Sequence, residues 1–363
     1  MSPDLAVGKP STADTASDEA SVGIRFLESA DEKVWDQFVL GHREGSFFQL
    51  IGWKRVIEKT FDYQPAYALA EREGKITGIL PLFSLSNWVM GRCLLSVPFG
   101  VYGGVCAEDE QSLQMLLDHS KQLAVAARVD FLELRNRGGD KLEGFHTNPL
   151  YCTFVTDLLP DPDAQFKRLP RDTRYMIRKA EKAGLRAQTG LELLQEFYDL
   201  FAENMRRHGT PLLSLQFFNN LTAEFGDRMH LLMVYGGGKP VAGVLSFLFR
   251  DTILPYYAGA GQEATRLAAN NYMYWALMKE AIARGLRFFD FGRSKKGTGS
   301  YTFKTQWDMK MESLNYQVFL VERTTLPNFS PLNPKFEIAA RVWKQLPAWL
   351  ARRAGPRVVR WFP

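Results

Sequence analysis

The two halves of this 363-residue chain repeat the same order of predicted helices and strands. Each half gives helices, two β-rich runs around a Gly-Lys turn, a further helix and a strand. In the first half, apolar residues at helical spacing (Leu50, Trp53, Val56, Ile57, Phe61) precede the hairpin YALAEREGKITGILPLFSL. In the second half, GKPVAGVL corresponds to GKITGIL, and LRFFDFGRSKKG corresponds to VDFLELRNRGG. Weak identity in a constant order is typical of an old duplication.

This repeated order predicts an α/β (α+β) fold of two similar domains, each a mixed β-sheet flanked by helices. A Rossmann domain is disfavoured, because the G-x-G-x-x-A at Gly259, Gly261 and Ala264 lies several residues before its helix and lacks the acidic ribose ligand. The expected segments are a disordered tail (1–22), an N-terminal domain (23–160), a basic junction (161–190), a C-terminal domain (191–325) and a basic, Trp-rich tail with a helix (326–363).

The composition excludes several classes of protein. With 46% hydrophobic and 23% charged residues the chain is globular. No apolar run is long enough to cross a bilayer, and the polar N-terminus is unlike a signal peptide, so a cytoplasmic location is expected. Cys93, Cys106 and Cys152 are interpreted as small core residues, and the five histidines show no ligand spacing. No metal site is therefore predicted.

The net charge of +5 is concentrated in two segments. Residues 165–186 hold eight Lys/Arg against two acidic residues, and residues 333–363 hold seven against one. Each of these two basic segments is either a surface that binds an anionic partner or an ordinary solvent-exposed face.

The segment FDFGRSKKGTGSYTFKTQW, residues 289–307, is the most informative stretch for function. It leaves a predicted strand, passes through Gly292, Gly297 and Gly299 with three cations between them, and enters an aromatic run. Glycines allow close approach of a ligand, and cations favour phosphate or developing negative charge. Lys304 stands between the aromatic residues Phe303 and Trp307. A lysine that served only to keep the surface soluble would not be expected among aromatic residues, so a functional role is favoured.

This segment resembles the late F-K-x-x-F/W motif of the FemAB family, with Phe303, Lys304 and Trp307 in its positions. The run TRYMIRKAEKAG, residues 173–184, resembles a second motif of that family near its domain junction. The sequence motif F-D-F-G-R-S-x-x-G-T-G resembles that of FemAB-related proteins associated with PEP-CTERM and exosortase systems in exopolysaccharide-producing bacteria.

The resemblance implies two GNAT-like domains and transfer of an activated acyl group to an amine on a cell-wall or exopolysaccharide precursor. The implied donor co-substrate is acyl-CoA or aminoacyl-tRNA, with no permanently bound cofactor. The implied acceptor is anionic and lipid-linked. The helical arm that some members use for tRNA is not visible in this sequence, which weighs against a tRNA donor.

The resemblance and the local chemistry together give candidate residues for each role. Lys304 is the candidate for stabilising the oxyanion, and Asp290 and Tyr301 are candidates for proton transfer, with a structural pairing of Asp290 and Arg293 as the favoured alternative. Expected substrate contacts are Arg174, Tyr175, Arg178, Lys179, Tyr102, Arg293, Phe303 and Trp307. Of these, Arg174, Arg178 and Lys179 are expected to face a cleft between the domains. Expected donor contacts are Asn270 and Asn271, as caps of a phosphate-binding helix, with Lys295 and Lys296.

Alternatives remain for the tail and for the function. The tail carries Trp349, Trp361 and several arginines, so it either lies at an anionic membrane surface or docks on the protein, and docking is favoured. A non-catalytic carbohydrate- or precursor-binding protein that retains the fold is the main rival to an enzyme. A nucleic-acid-binding role lacks a recognisable reader motif.

Overall fold

A computed structural model describes residues 21–138, 141–327 and 334–363, with only the backbone given for residues 334–338. The disordered tail expected for residues 1–22 lies, up to residue 20, outside the described residues.

The elements of the first half follow the predicted order. Its helices are α1 (Glu32–Gly41), α2 (Ile51–Phe61) and α3 (Glu110–Ala126). Its strands are β1 (Gly23–Phe26), β2 (Gln64–Pro65), β3 (Ala68–Arg72), β4 (Lys75–Leu80), β5 (Phe83–Asn87), β6 (Gly91–Leu95), β7 (Cys106–Ala107), β8 (Phe131–Leu134) and β9 (His146–Asp157).

The second half begins after two helices at the junction, α4 (Pro162–Arg168) and α5 (Arg171–Lys182). Its strands are β10 (Arg186–Thr189), β11 (Met229–Gly236), β12 (Lys239–Phe249), β13 (Thr252–Ala260), β14 (Phe288–Asp290), β15 (Ser294–Lys295) and β16 (Lys310–Leu320). Its helices are α6 (Leu194–His208), α7 (Leu215–Phe225), α8 (Ala269–Ala283) and α9 (Gly299–Thr305), and the tail adds α10 (Pro334–Gln345) and α11 (Ala348–Val359).

Both predicted hairpins form through turns that need a left-handed backbone. The β3–β4 turn has positive φ at Glu73 and Gly74, and the β11–β12 turn has positive φ at Gly237 and Gly238. Two successive residues with positive φ match the right-handed twist of the flanking strands, and glycine adopts this conformation at little cost.

The strands form one four-stranded sheet, β1-β3-β4-β7, and one twelve-stranded sheet that runs through both halves. The long sheet has the order β10-β11-β12-β13-β14-β9-β16-β8-β6-β5-β2, and β15 pairs with β9 at its side. Each half contains one parallel pair, β6 with β8 and β13 with β14. The prediction of a mixed α/β fold with helices flanking its sheets is confirmed.

The two halves exchange their last strands. β9, which ends the first half, pairs with β14 of the second half, while β16, from the second half, pairs with β8 of the first. β9 and β16 then pair with each other antiparallel at the centre of the sheet. The expected boundary near residue 160 is therefore crossed by the sheet itself.

An aromatic core also joins the halves. Phe47, just before α2, stacks on Phe247 of β12 with ring centroids 4.2 Å apart, and it lies 4.4 Å from Phe225 at the end of α7. All three rings are buried. All three cysteines are buried as well, as their interpretation as core residues requires.

The C-terminal tail docks on the protein, the favoured alternative. Helices α10 and α11 both contact α6. Gly355 of α11 lies against Leu212, so close that a Cβ there would be 2.9 Å from the Leu212 nitrogen. Among the described residues, no helix is both long and apolar enough to span a membrane.

Candidate active site

A cleft of about 1490 Å³ opens between the two halves. Its walls come from the segment before α2, the loop that follows β6, the N-terminal turns of α3, the loop that follows β8, and strands β12, β13 and β16. The side chains that matter below are Tyr102, Asn136, Arg137, Asp290, Lys310 and Glu312.

Asp290 is a buried carboxylate on the wall of this cleft, with only 1% of its surface exposed. Its Oδ1 accepts hydrogen bonds from the Thr153 hydroxyl (2.7 Å), the Tyr102 hydroxyl (3.1 Å) and the Gly292 N–H (2.8 Å). Its Oδ2 lies 3.5 Å from the guanidinium of Arg137. A buried carboxylate needs such partners, and here they come from both halves.

Tyr102 and Thr153 form a short chain of hydroxyls that ends at Asp290. The Tyr102 hydroxyl is 2.6 Å from Thr153 Oγ1, closer than it is to the carboxylate. Burial and the neighbouring Asp290 hold the pKa of Tyr102 well above its usual value, so the phenol keeps its proton and donates it. Tyr102 shares its single proton between Thr153 Oγ1 and Asp290 Oδ1, and Thr153 donates its own proton to Asp290.

Arg137 connects Asp290 of β14 to Glu312 of β16, two strands that lie on either side of β9. Its guanidinium contacts Asp290 at 3.5 Å and Glu312 at 3.4 Å, and it lies over the ring of Tyr102, 5.0 Å from the centroid. The side chain is 43% exposed, which leaves part of its charge available in the cleft.

The parallel strands β13 and β14 separate beside Asp290. They pair only at Thr252 with Phe288 and at Ile253 with Phe289. The next residues of the chain, 291–293, turn away from β13 through Gly292, whose φ is +68°. A Cβ at Gly292 would lie 3.2 Å from the Leu254 side chain of β13, so a larger residue at this turn would press on that side chain.

Lys304 holds this diverging segment from the side of α9. Its Nζ donates to the carbonyls of Phe291 (2.6 Å), Gly292 (3.0 Å) and Arg293 (3.3 Å), so all three ammonium protons have acceptors. Burial lowers the pKa of Lys304 to about 8. The predicted aromatic frame is present, because the rings of Phe291, Phe303, Trp307 and Tyr274 pack around the segment.

The expected pairing of Asp290 with Arg293 is wrong. Arg293 lies over the ring of Tyr151, 4.8 Å from the centroid, and donates to the Tyr316 hydroxyl at 3.4 Å. Gly292 turns the backbone between the two residues, so their side chains diverge and Arg137 takes the place beside Asp290.

The basic junction residues do not face the cleft, contrary to the prediction. Helix α5 packs against α8 with a face that includes Thr173, Ile177 and Ala180. Arg178 and Lys179 therefore point to solvent on the outside of the second half, together with Tyr175. Arg174 is half-buried, and none of the four lines the cleft.

The expected donor residues are also spread over separate places. Helix α8 begins at Ala269 after Ala268, and neither Asn270 nor Asn271 caps it with a side chain. Lys295 belongs to β15, which pairs with β9, and Lys296 is exposed beyond it. Tyr301 contacts Phe154 and Met311. Of the predicted site residues, the structure brings together Tyr102 with Asp290, and Lys304 with Phe303, Arg293 and Trp307 around residues 290–293.

Arg137, Thr153 and Glu312 were missed by the sequence analysis. The internal repeat held a signal for Arg137, because the segment after β8 corresponds to the segment after β14 that contains the candidate lysines. Thr153 and Glu312 lie on the exchanged strands β9 and β16, and their position depends on pairings across more than a hundred residues.

Comparison with known proteins agrees with this architecture. Residues 167–305 match the sequence model described as an acetyltransferase (GNAT) domain. This part of the chain is therefore similar to a GNAT domain. No sequence among the curated proteins matches the chain.

Several solved structures are similar to both halves of this chain. The crystal structure of FemX is similar over 83% of this chain and 98% of its own length, with 15% identity and a TM-score of 0.63. A tandem GNAT protein from the clavulanic acid biosynthesis pathway covers 84% and 100%, with 10% identity and a TM-score of 0.54. L-PGS from Bacillus licheniformis covers 88% and 98%, with 11% identity and a TM-score of 0.54. At these identities the likeness concerns the fold, two GNAT-like domains in tandem.

Proposed function

We propose that this protein is an acyl- or aminoacyl-transferase that moves an activated acyl group to an amine, with the reaction centred on Asp290 in the cleft between the halves. The observation that carries the proposal is the buried carboxylate of Asp290, placed where β13 and β14 separate within a GNAT domain. The FemX and tandem-GNAT likeness supports the same class of chemistry.

In this mechanism the acceptor amine attacks the carbonyl carbon of a thioester or ester. A C–N bond forms, the C–S or C–O bond breaks, and the proton that the amine loses passes by way of Asp290 to the leaving thiolate or alkoxide. Asp290 accepts the proton that the amine loses, through Oδ2, because Oδ1 already accepts three hydrogen bonds. The charged partner of Oδ2, Arg137, is half-exposed and free to contact the acceptor.

Lys304 acts on this reaction through the backbone that it holds. The family resemblance assigns Lys304 to stabilising charge at the reacting carbonyl, and the charge of Asp290 acts on its ammonium. Because its three protons are bound by the carbonyls of residues 291–293, we assign it as a positioning residue whose charge supports that segment.

The charge of the cleft favours an amine-bearing acceptor. Among the described residues, seven carboxylates line it (Glu44, Glu108, Asp109, Glu110, Glu143, Asp290 and Glu312) against four Lys/Arg (Arg43, Arg137, Lys141 and Lys310). A net acidic wall attracts the cationic end of an acceptor. The anionic, lipid-linked part of a cell-wall or exopolysaccharide precursor would then bind outside this cleft, where Arg174, Arg178 and Lys179 are candidates. The donor in this proposal is acyl-CoA or aminoacyl-tRNA.

The test is incubation of the protein with acyl-CoAs or charged tRNAs and candidate amine precursors, read by mass spectrometry of the acceptor. Asp290→Asn keeps the shape of the side chain but removes the proton acceptor, and it should lower kcat by roughly a hundredfold to ten-thousandfold with little change in KM.

Glu312→Gln is the matched control, since it removes the other carboxylate on Arg137 and should change kcat only slightly. Melting temperatures of both variants separate loss of the base from loss of the fold. A folded Asp290→Asn variant with near-normal kcat would refute the role of Asp290, and the absence of any acyl transfer would favour a binding protein.

A further inference from the structure

Helix α11 presents two different faces, one buried against the protein and one largely exposed. Ala351, Gly355 and Val359 are buried on the side that packs on the protein. Trp349, Arg353, Arg357 and Arg360 follow one another at intervals of four, four and three residues, which places them on a common face. Trp349 is 66% exposed and the three arginines are exposed.

The three arginines of this face surround a pocket of about 420 Å³ between α11 and the end of α2. Thr60, Phe61 and Pro356 complete its lining. Arg360 is fixed there, because its Nη2 donates to the Phe61 carbonyl at 2.9 Å and its own carbonyl accepts from Tyr63. The pocket thus joins fixed cationic and apolar groups.

None of the three arginines pairs with a carboxylate within the described part of the chain. Arg357 donates to the backbone carbonyl of Arg353 at 3.4 Å, and Arg360 donates to backbone as well. Arg352 of the same helix, which points elsewhere, lies 2.5 Å from Asp199. Three guanidinium groups without counter-charges repel one another, and an anion between them relieves that repulsion.

Exposed tryptophans lie beside this pocket in the fold. Trp88 stands at the tip of the β5–β6 hairpin with 77% of its surface exposed, and its ring meets that of Trp361 edge to face at 5.0 Å. Trp361 follows directly after Arg360. Indole rings with one apolar and one polar edge are favoured at the boundary between lipid and water.

We propose that Trp88, Trp349, Arg353, Arg357, Arg360 and Trp361, the arginine–tryptophan surface, binds an anionic lipid bilayer, with a lipid phosphate in the pocket of the three arginines. Guanidinium groups bind phosphate through paired N–H donors, and the tryptophans insert at the level of the headgroups. Duplex RNA offers phosphates but no unstacked base for these indoles, so a bilayer fits the surface better. This inference does not depend on the proposed transferase activity.

The test is co-sedimentation of the full chain with vesicles of phosphatidylglycerol and phosphatidylcholine, compared with vesicles of phosphatidylcholine alone. Binding should require phosphatidylglycerol and should weaken as salt is raised. Arg357→Gln should lower the partition coefficient about fivefold, and Arg353→Gln combined with it should lower it about fivefold again.

Arg352→Gln is the matched control, an exposed arginine of the same helix whose loss should leave vesicle binding unchanged. Trp88→Ala should reduce binding in a way that does not depend on salt, since it removes apolar contact only. Melting temperatures confirm that each variant is folded.

Several outcomes would overturn the proposal. Equal vesicle binding by Arg357→Gln and Arg352→Gln would show that the arginine pocket does not contribute to membrane binding. Absence of binding to phosphatidylglycerol vesicles would refute the whole proposal. If inorganic phosphate binds in the pocket while vesicles do not, the site takes a free phosphate instead. If tRNA binds, and loses affinity in the Arg357→Gln variant while vesicles do not bind, the partner is RNA.

Discussion

Residues 290–293 are held from two sides by side chains of opposite charge. On one side Asp290 accepts the N–H of Gly292, and on the other Lys304 donates to the carbonyls of Phe291, Gly292 and Arg293. Charge-assisted hydrogen bonds of this kind are about twice as strong as neutral ones. The backbone beside the proposed reaction centre is therefore fixed at the Gly292 N–H and at the carbonyls of residues 291–293.

The pH dependence of stability should report Lys304. Its pKa is about 8 in the folded protein against an ordinary value of 10.5, so between these pH values the unfolded chain binds more protons. Stability of the wild type relative to Lys304→Met should therefore rise with pH across this window, by about 3 kcal/mol in total. Urea unfolding of both proteins from pH 7 to pH 10.5 measures this difference.

Activity should change in the opposite direction over the same range. Above pH 8 Lys304 loses its charge and one N–H donor, so kcat of the wild type should fall while the protein remains folded. Lys295→Met, which removes a lysine of β15 outside the three carbonyl contacts, should keep the wild-type pH profile. A wild-type kcat that stays constant through pH 8 to 10 would contradict the assignment.

The sequence could identify Lys304 and Asp290 as candidates but not their partners. The aromatic spacing around Lys304 and the end of a strand at Asp290 are local features that a sequence displays. The partner of Asp290 is Arg137, more than a hundred residues earlier, and its presence follows from the way the two halves meet. Arg293 is nearer to Asp290 in the sequence and was therefore predicted as its partner. The turn at Gly292 prevents this pairing, and a turn of that kind is not evident from the sequence.

Among the secondary-structure elements, the spacing of apolar residues predicted the helices and hairpins in which one face is regularly buried. Helix α2 and the turns of β3–β4 and β11–β12 lie where their patterns indicated. Helix α9 was missed because seven residues span barely two turns. The prediction for the tail gave one helix and did not include α11, which contains two poor helix formers, Gly355 and Pro356, although the glycine is what allows close packing on Leu212.

Gly355→Val should release α11 from the rest of the protein. A Cβ at this position would already lie 2.9 to 3.1 Å from three atoms of Leu212, so the larger side chain forces the helix outward. We expect a loss of stability of about 1 to 3 kcal/mol and faster trypsin cleavage at Arg352 and Arg353. Thermal unfolding and limited proteolysis measure these two effects.

Ala354→Val is the control for this substitution. It adds the same kind of side chain to the same helix at a partly exposed position, and it should leave the cleavage rate near that of the wild type. Equal cleavage of the two variants would show that Gly355 is not the contact that holds α11.

At the scale of the whole molecule, one twelve-stranded sheet runs through both halves, and neither half is complete without the other. β8 needs β16 as its neighbour, and β14 needs β9, so each half supplies the strand that covers the edge of its partner. An uncovered edge beside a parallel pair would expose backbone donors and acceptors to solvent and to aggregation. The repeat in the sequence predicted two similar domains, but exchange of strands leaves no local pattern.

Strand exchange and the shared aromatic core lead us to expect a single cooperative unfolding transition rather than one for each half. Ile79→Ala in the first half and Met278→Ala in the second each remove a fully buried side chain, at a cost of about 2 to 5 kcal/mol. Both variants should shift the whole calorimetric transition to lower temperature, with calorimetric and van't Hoff enthalpies that agree. Two peaks, with each variant moving only the peak of its own half, would show that the halves unfold independently despite sharing β9 and β16. A single peak would mean instead that a defect in either half destabilises the cleft that both halves build.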